Sequence, residues 1–145
     1  MANPLRSRGL ESARSRGAHV ALALGTIGVG LLVHWHGLGL GPTARDVLGD
    51  ALWAAMVAWW VGALAPGVRL GARSAAALAV CVAVEVSQLA HTPALDALRR
   101  TRAGHLVLGS GFDPRDLAAY ALGVAGAALL VRTVARRGGH PRAAI

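Results

Sequence analysis

The sequence predicts an all-α integral membrane protein with four transmembrane helices and a re-entrant or interfacial loop, rich in arginine and glycine, between helices 3 and 4. Three observations predict this fold class. Apolar residues make up 54% of the 145 residues, and a further 19 residues are glycine. Only 15% are charged, whereas soluble domains carry about 25% charged residues. The charges are also clustered, so that long uncharged apolar stretches separate them.

The spacing of the charges locates the four helices. A charge at the centre of a bilayer costs about 2.5–3.5 kcal/mol on insertion scales, and a helix needs about 20 residues to cross. Helices are expected to end or start near Pro66, Pro93 and Pro114. Proline interrupts a helix but is favoured in its first turn. The predicted spans are residues 18–38, 47–65, 72–91 and 114–133.

The segment between the third and fourth spans, residues 94–112, carries three arginines and is too polar to cross the membrane. We expect a short interfacial helix over residues 94–102, followed by a glycine-hinged loop that dips toward the bilayer and is shielded by protein. Basic tails, residues 1–17 and 134–145, flank the predicted membrane domain, residues 18–133. The first apolar stretch is long for a signal peptide and lacks an A-x-A cleavage site, which favours a retained helix.

The positive charge of the chain predicts its orientation. The net charge is +8, and all 15 residues of the Lys and Arg class are arginines. In a soluble protein, such an excess of positive charge would indicate a nucleic-acid partner. In a membrane protein, it instead indicates the orientation of the chain, because short cytoplasmic loops are rich in Arg and Lys. An N-terminus inside places ten arginines on the cytoplasmic side and five outside. We expect a multi-pass bacterial inner (plasma) membrane protein with both termini in the cytoplasm and no nucleic-acid partner.

Polar residues of the predicted spans gather at one depth, in the outer half of the membrane. Gln88 follows Glu85 at i+3 and Tyr120 follows Asp116 at i+4, so each pair shares a helix face. No comparable polar set is expected in the inner half. An ionisable residue within a span is a functional-site hypothesis. The predicted ligand-binding residues, with the loop arginines above them, are Asp50, Glu85, Gln88, Arg99, Arg102, Asp116 and Tyr120.

The residues leave alternatives open for these carboxylates. Glu85 either pairs with one of the loop arginines and pins the loop to the bundle, or is protonated and holds helices together, or contributes to a ligand site, or relays protons. Asp50 and Asp116 lie near the starts of their predicted helices, where a carboxylate interacts favourably with the helix dipole. The sequence alone therefore does not separate a binding site from a structural lock.

Metal, cofactor and catalytic sites are not predicted. Cys81 is the single cysteine and has no CxxC partner. His34 and His36 are spaced at i,i+2 and do not face each other on a helix. Ser87 and His91 share a helix face but lack a third, orienting group, so we assign no catalytic residue.

Five stretches of the chain form an ordered series of motifs: GDALWA at 49–54, VEVSQL at 84–89, LDALRRT at 95–101, GHLVLGSGF at 104–112 and DLAAY at 116–120. Over residues 20–131 the chain thereby resembles the bacterial integral-membrane family known as domain of unknown function 2809. The order of Glu-x-x-Gln, Arg, Asp and the late Gly123 is also similar to the VanZ-like family, which has a member known for glycopeptide resistance. The first resemblance implies a four-helix membrane fold and no particular reaction.

These observations lead to one functional hypothesis and two alternatives. We expect an outer-leaflet polar cavity in which arginine binds an anionic lipid or a lipid-linked cell-wall precursor through bidentate hydrogen bonds. Membrane lipids are thus the expected partners, and the sequence does not identify a protein partner. The alternatives are a structural or accessory subunit whose buried polar residues lock the fold, and a small enzyme acting on a lipid-linked substrate with Glu85 as general base.

Overall fold

The computed structural model describes residues 4–109 and 111–138, and the side chains of residues 13–109 and 111–137. No strand occurs within these ranges, so the predicted all-α class is confirmed. Ser110 of the predicted hinge, Arg142 of the predicted C-terminal tail, and the side chains of Arg6 and Arg8 lie outside the described residues. The described helices are α1 (Pro4–His36), α2 (Pro42–Leu64), α3 (Leu70–Ser87), α4 (Pro93–Arg99), α5 (Arg102–Leu108) and α6 (Pro114–Gly138).

Helices α1, α2, α3 and α6 are long and apolar enough to cross a membrane, with mean hydropathy of 1.5 to 1.7 in their apolar windows. Their large apolar side chains face outward: Leu24, Leu64 and Leu122 are all more than half exposed, whereas Glu85 and Gln88 are buried. A soluble helical bundle has the reverse distribution, with apolar residues inside and charged residues outside. The predicted fold of four membrane-spanning helices is confirmed.

The ends of these helices differ from the predicted spans in ways that local chemistry explains. Helix α2 begins five residues before its predicted start, because Pro42 takes the first helical position, where its missing N–H costs nothing. Helix α1 has 33 residues, which at about 1.5 Å per residue exceeds the bilayer core of about 30 Å. Its first turns, within the predicted tail, therefore extend beyond the apolar span Ala13–Gly39.

Helix α2 is the centre of the bundle, because α1, α3 and α6 all pack against it. A 3-10 turn at Gly37–Gly39 and two further residues join α1 to α2, and residues 65–69 join α2 to α3. Short connections of this kind make consecutive spans antiparallel. We call the end of the bundle that carries α4 and α5 the capped end, and the end where α1 begins and α6 finishes the terminal end. The core cluster near the middle comprises Ala54, Val57, Ala77, Cys81, Tyr120 and Val124.

The segment between α3 and α6 differs from the predicted single helix and glycine-hinged loop, because residues 102–108 are also helical. Threonine side chains start both short helices: Thr92 and Thr101 each accept a hydrogen bond from a backbone N–H three residues later. Gly104 does not act as a hinge. A Cβ atom at this position would clash with the carbonyl group of Leu98, so glycine is what lets α5 fold closely against α4.

Candidate functional site

Glu85 is the centre of a buried hydrogen-bond network near the capped end. Its side chain is 0% exposed. Oε2 accepts hydrogen bonds from Gln88 Nε2 at 3.0 Å and from the Tyr120 hydroxyl at 2.9 Å. Oε1 accepts from the backbone N–H of Asp113 at 2.7 Å. The structure thus brings three of the predicted residues together, and both oxygens of the Glu85 carboxylate are occupied by donors of the protein itself.

The positions of these residues along their helices explain why they meet. Glu85 lies in the last turn of α3 and Gln88 directly follows that helix, and Tyr120 lies on the second turn of α6, which packs against α3. The Tyr120 ring also contacts the Trp53 ring of α2, with ring centroids 5.6 Å apart. The network therefore ties together the three helices at the capped end.

Gln88 has a second structural contact, with Gly109, which directly follows α5. Gly109 has a φ of +67°, a conformation that glycine adopts without steric cost. A Cβ atom on Gly109 would lie 2.6 Å from Gln88 Nε2, so the glycine backbone lies directly against the Gln88 amide. Gln88 Oε1 is buried and has no hydrogen-bond partner among the described residues. Gln88 therefore contributes packing and one donated hydrogen bond.

Asp50 and Asp116, the other two carboxylates of the predicted set, face each other from α2 and α6. Their carboxyl groups are close enough to interact electrostatically, and each also interacts with the carboxyl group of Glu85. Both side chains are half-buried. The carboxyl groups that the sequence predicts at one depth in the membrane are therefore also close to one another in the fold.

Arg99 belongs to a different part of the site. Its guanidinium is 7% exposed, and it donates hydrogen bonds to the carbonyl oxygens of Ser87 at 2.6 Å and Ala90 at 2.8 Å. Helix C-termini leave such carbonyls without partners inside the helix. Asp96 Oδ1 lies 3.4 Å from Arg99. Arg99 therefore fastens α4 to the end of α3 and is not the partner of Glu85, for which the described residues contain no arginine within 4.0 Å.

An open cavity of about 470 Å³ lies at the surface of the capped end. We call it the arginine cavity. Arg100 and Arg102 are exposed there, and within the described part of the chain neither guanidinium donates a hydrogen bond or has a carboxylate within 4.0 Å. Asp96 contacts both His91 and Arg99, at 3.4 Å each. The residues that line the cavity are His91, Asp96, Arg99, Arg100, Thr101, Arg102 and His105.

The predicted site therefore divides into a buried network and an open cavity. Of the predicted residues, Arg99 and Arg102 line the cavity, whereas Glu85 and its partners do not. Arg100, His91 and His105 also line it and were absent from the predicted set. The sequence indicates these residues only weakly. The way in which the two short helices fold onto each other decides which of their side chains face a common space, and residue spacing does not determine it.

A second polar cluster, at the terminal end, was missed. His19 Nδ1 lies 2.7 Å from the carbonyl oxygen of Ser15, and its Nε2 lies 3.5 Å from an Nη1 of Arg73. The ring packs 6.1 Å from the Trp59 ring and over Gly62, where a Cβ atom would clash with it. The expectation that no comparable polar set exists at this end is wrong. His19 and Arg73 belong to different helices, so their contact is not visible in the spacing of residues within one span.

The geometry of the described residues contains no group of three or more His, Cys, Asp or Glu side chains able to hold a metal ion. A sequence profile of the family described as "Protein of unknown function (DUF2809)" matches residues 41–124. The matched region includes the Glu85 network and the whole arginine cavity, and it leaves out α1. No solved structure matches the chain. Since the profile covers more than half of the chain, the chain belongs to the DUF2809 family of proteins of unknown function.

Proposed function

We propose that this member of the DUF2809 family is a bacterial inner-membrane protein that binds the phosphate of an anionic envelope lipid, or of a lipid-linked cell-wall precursor, in the arginine cavity. One observation carries the proposal: two exposed guanidinium groups, those of Arg100 and Arg102, line a common cavity and have no acceptor among the described residues. The guanidinium of Arg99, by contrast, is bonded to carbonyl oxygens of the protein itself.

The chemistry of arginine favours phosphate as the ligand. The guanidinium is planar, always charged, and presents several N–H donors in a fork that matches two phosphate oxygens at once. Such charge-assisted hydrogen bonds are about twice as strong as neutral ones. His91 and His105 add further nitrogen donors at the cavity wall. The cavity therefore presents donors and positive charge, which suit a phosphate group.

The position of the cavity favours a lipid as the source of that phosphate. The cavity lies on α4 and α5, between Ser87, where one span ends, and Pro114, where the next begins. The headgroup region of a bilayer lies just outside its hydrocarbon core. A lipid can therefore place its phosphate in the cavity while its acyl chains stay beside the exposed apolar faces of the spans.

The buried network supports binding by holding the cavity in shape. Arg99 fixes the end of α4 to the end of α3, and Glu85 fixes the chain beyond α5 through the N–H of Asp113. A site whose backbone is already held in place loses less entropy when ligand binds. In this proposal Glu85 and Gln88 are positioning residues, and the arginines touch the ligand.

The orientation in the proposal places the capped end outside the cell. Exposed arginines at the terminal end, among them Arg16, Arg69 and Arg136, supply the positive charge that short cytoplasmic segments collect. The capped end then faces the outer leaflet and the envelope. This orientation supports an envelope lipid as ligand, in line with the resemblance to the VanZ-like family.

An alternative function is that of an accessory subunit whose polar residues only lock the fold. The saturated hydrogen bonds of Glu85 favour a structural role for that residue. An enzyme with Glu85 as general base receives no comparable support, because Glu85 is fully buried and is not among the residues that line the arginine cavity.

Native mass spectrometry of the detergent-purified protein tests the proposal. Wild type is expected to retain a phosphate-bearing lipid, and the double variant Arg100→Gln, Arg102→Gln is expected to lose it. Arg115→Gln is the matched control, since Arg115 is exposed at the capped end but does not line the cavity. Equal lipid retention by all three proteins would overturn the proposal and favour the accessory role.

A further inference from the structure

We infer that the arginine cavity selects a terminal phosphate, as in a phosphate monoester or the end group of a pyrophosphate, over the bridging phosphate of a phosphodiester. The inference rests on the proposed function and adds the class of phosphate. It follows from the balance of charge in the cavity, from the number of donors, and from the accessible position of the two arginines.

The first argument is charge. Asp96 is the carboxylate of the cavity lining, and it lies 3.4 Å from both Arg99 and His91. Its charge is therefore balanced within the protein. Arg100 and Arg102 then leave two uncompensated positive charges. A terminal phosphate carries a charge of about −1.5 to −2 at pH 7, whereas a phosphodiester carries a single negative charge. A bound terminal phosphate therefore nearly neutralises the two arginine charges, whereas a bound phosphodiester leaves a net positive charge in the cavity.

The second argument is the number of oxygen atoms. A bidentate arginine contact uses two phosphate oxygens. Two guanidiniums that each bind in this way need three unesterified oxygens, even when they share one. A terminal phosphate offers three such oxygens and a phosphodiester offers two. Arg100 and Arg102 can therefore both be bidentate toward a terminal phosphate while sharing one oxygen, whereas toward a phosphodiester they would have to share both oxygens, and the histidines at the wall raise the demand for acceptors further.

Arg99 does not change this count, although it lines the same cavity. Its Nη atoms donate to the carbonyl oxygens of Ser87 and Ala90. These bonds hold the guanidinium in the protein at 7% exposure. The two neighbouring arginines are exposed, with side chains free to close on a ligand. The ligand-binding donors of the cavity are thus those of two arginines and not three.

Titration of the delipidated, full-length protein in detergent with two lipids of identical acyl chains tests the inference by native mass spectrometry. Phosphatidic acid supplies a terminal phosphate, and phosphatidylglycerol supplies a phosphodiester. One additional charge-assisted contact predicts that phosphatidic acid binds about tenfold more tightly. The double variant Arg100→Gln, Arg102→Gln is expected to bind the two lipids equally and weakly, while Arg115→Gln keeps the preference of wild type.

The outcomes separate this inference from the proposed function. Equal affinity of wild type for the two lipids, lost for both in the double variant, would overturn the terminal-phosphate inference and leave lipid binding standing. Unchanged binding of both lipids in the double variant would overturn the proposed function itself. Inorganic phosphate serves as a competitor: failure to displace phosphatidic acid supports a lipid-borne phosphate, and displacement at equal concentration supports a soluble terminal phosphate as the ligand of the same site.

Discussion

Glu85 accepts a hydrogen bond from the backbone N–H of Asp113 at 2.7 Å, across 28 residues of chain. The bond joins the last turn of α3 to the residue that precedes α6, so the intervening segment, with α4 and α5, is closed into a loop against the bundle. A buried carboxylate thereby fixes the backbone that carries the arginine cavity. Fold and candidate site depend on each other through this contact, and the predictions below separate their contributions.

Replacing Glu85 by Gln is expected to destabilise the fold by about 1.5–3 kcal/mol, because hydrogen bonds to a charged group are lost and an amide N–H₂ faces a donor. Tyr120→Phe removes a single hydrogen bond and is expected to cost less, about 1 kcal/mol. Thermal unfolding in detergent measures both. Asp46→Asn is the control, since Asp46 is an exposed carboxylate of α2. Melting of Glu85→Gln at the temperature of this control would contradict a structural role for Glu85.

Replacing Arg99 by Gln is expected to lower the melting temperature, because the carbonyls of Ser87 and Ala90 lose their donors at the end of α3. The expected cost is about 1.5–3 kcal/mol, as for the loss of hydrogen bonds to a charged group. The neighbouring substitution Arg100→Gln is the control and is expected to stay within about 0.5 kcal/mol of wild type, since Arg100 is exposed. Equal melting temperatures for the two variants would show that Arg99 does not cap α3.

Replacing Gly123 by Ala is expected to destabilise the contact between α2 and α6. A Cβ atom at Gly123 would clash with the carbonyl oxygen of Ala51, and overpacking of this kind costs about 1–3 kcal/mol. Gly126→Ala lies on the same helix with nothing within 4 Å of its Cβ position. Because alanine is the better helix former, this control is expected to match or exceed wild type in thermal unfolding. A similar loss in both variants would argue against close packing at Gly123.

Cysteine labelling is expected to place the capped end outside the cell. In a Cys81→Ala background, a membrane-impermeant maleimide added to intact cells should label His105→Cys, because His105 is exposed at the arginine cavity. Arg136→Cys, exposed near the terminal end, should be labelled only after the membrane is disrupted. The reverse pattern would invert the orientation and move the arginine cavity to the cytoplasmic side.

Much of the buried network could be predicted from the sequence. Helical spacing places Gln88 on the same face as Glu85, and alternation of the spans brings the start of α6 to the end of α3, where Tyr120 meets them. The antiparallel order also brings Asp50 and Asp116 to the same end. These relationships follow from regular helix geometry and from connectivity, both of which are visible in the spacing of residues along the chain.

Contacts that depend on where a helix ends could not be predicted in the same way. The spacing of charges predicts a third span that runs to residue 91, but α3 ends at Ser87, and carbonyl groups at and just beyond this end accept hydrogen bonds from Arg99. The contact between His19 and Arg73 joins residues 54 positions apart and depends on the rotation of α1 about its axis. No spacing rule along the chain determines that rotation, because it is set by side-chain packing.

The most direct test measures lipid retention and melting temperature together, on Arg102→Gln and Glu85→Gln. Since Arg102 lines the cavity without a protein partner and Glu85 is bonded through both oxygens, the two effects should separate. Arg102→Gln is predicted to lose retained anionic lipid while melting like wild type, and Glu85→Gln to melt at a lower temperature. Full lipid retention by Arg102→Gln, or unfolding of both variants, would contradict a binding cavity distinct from the buried lock.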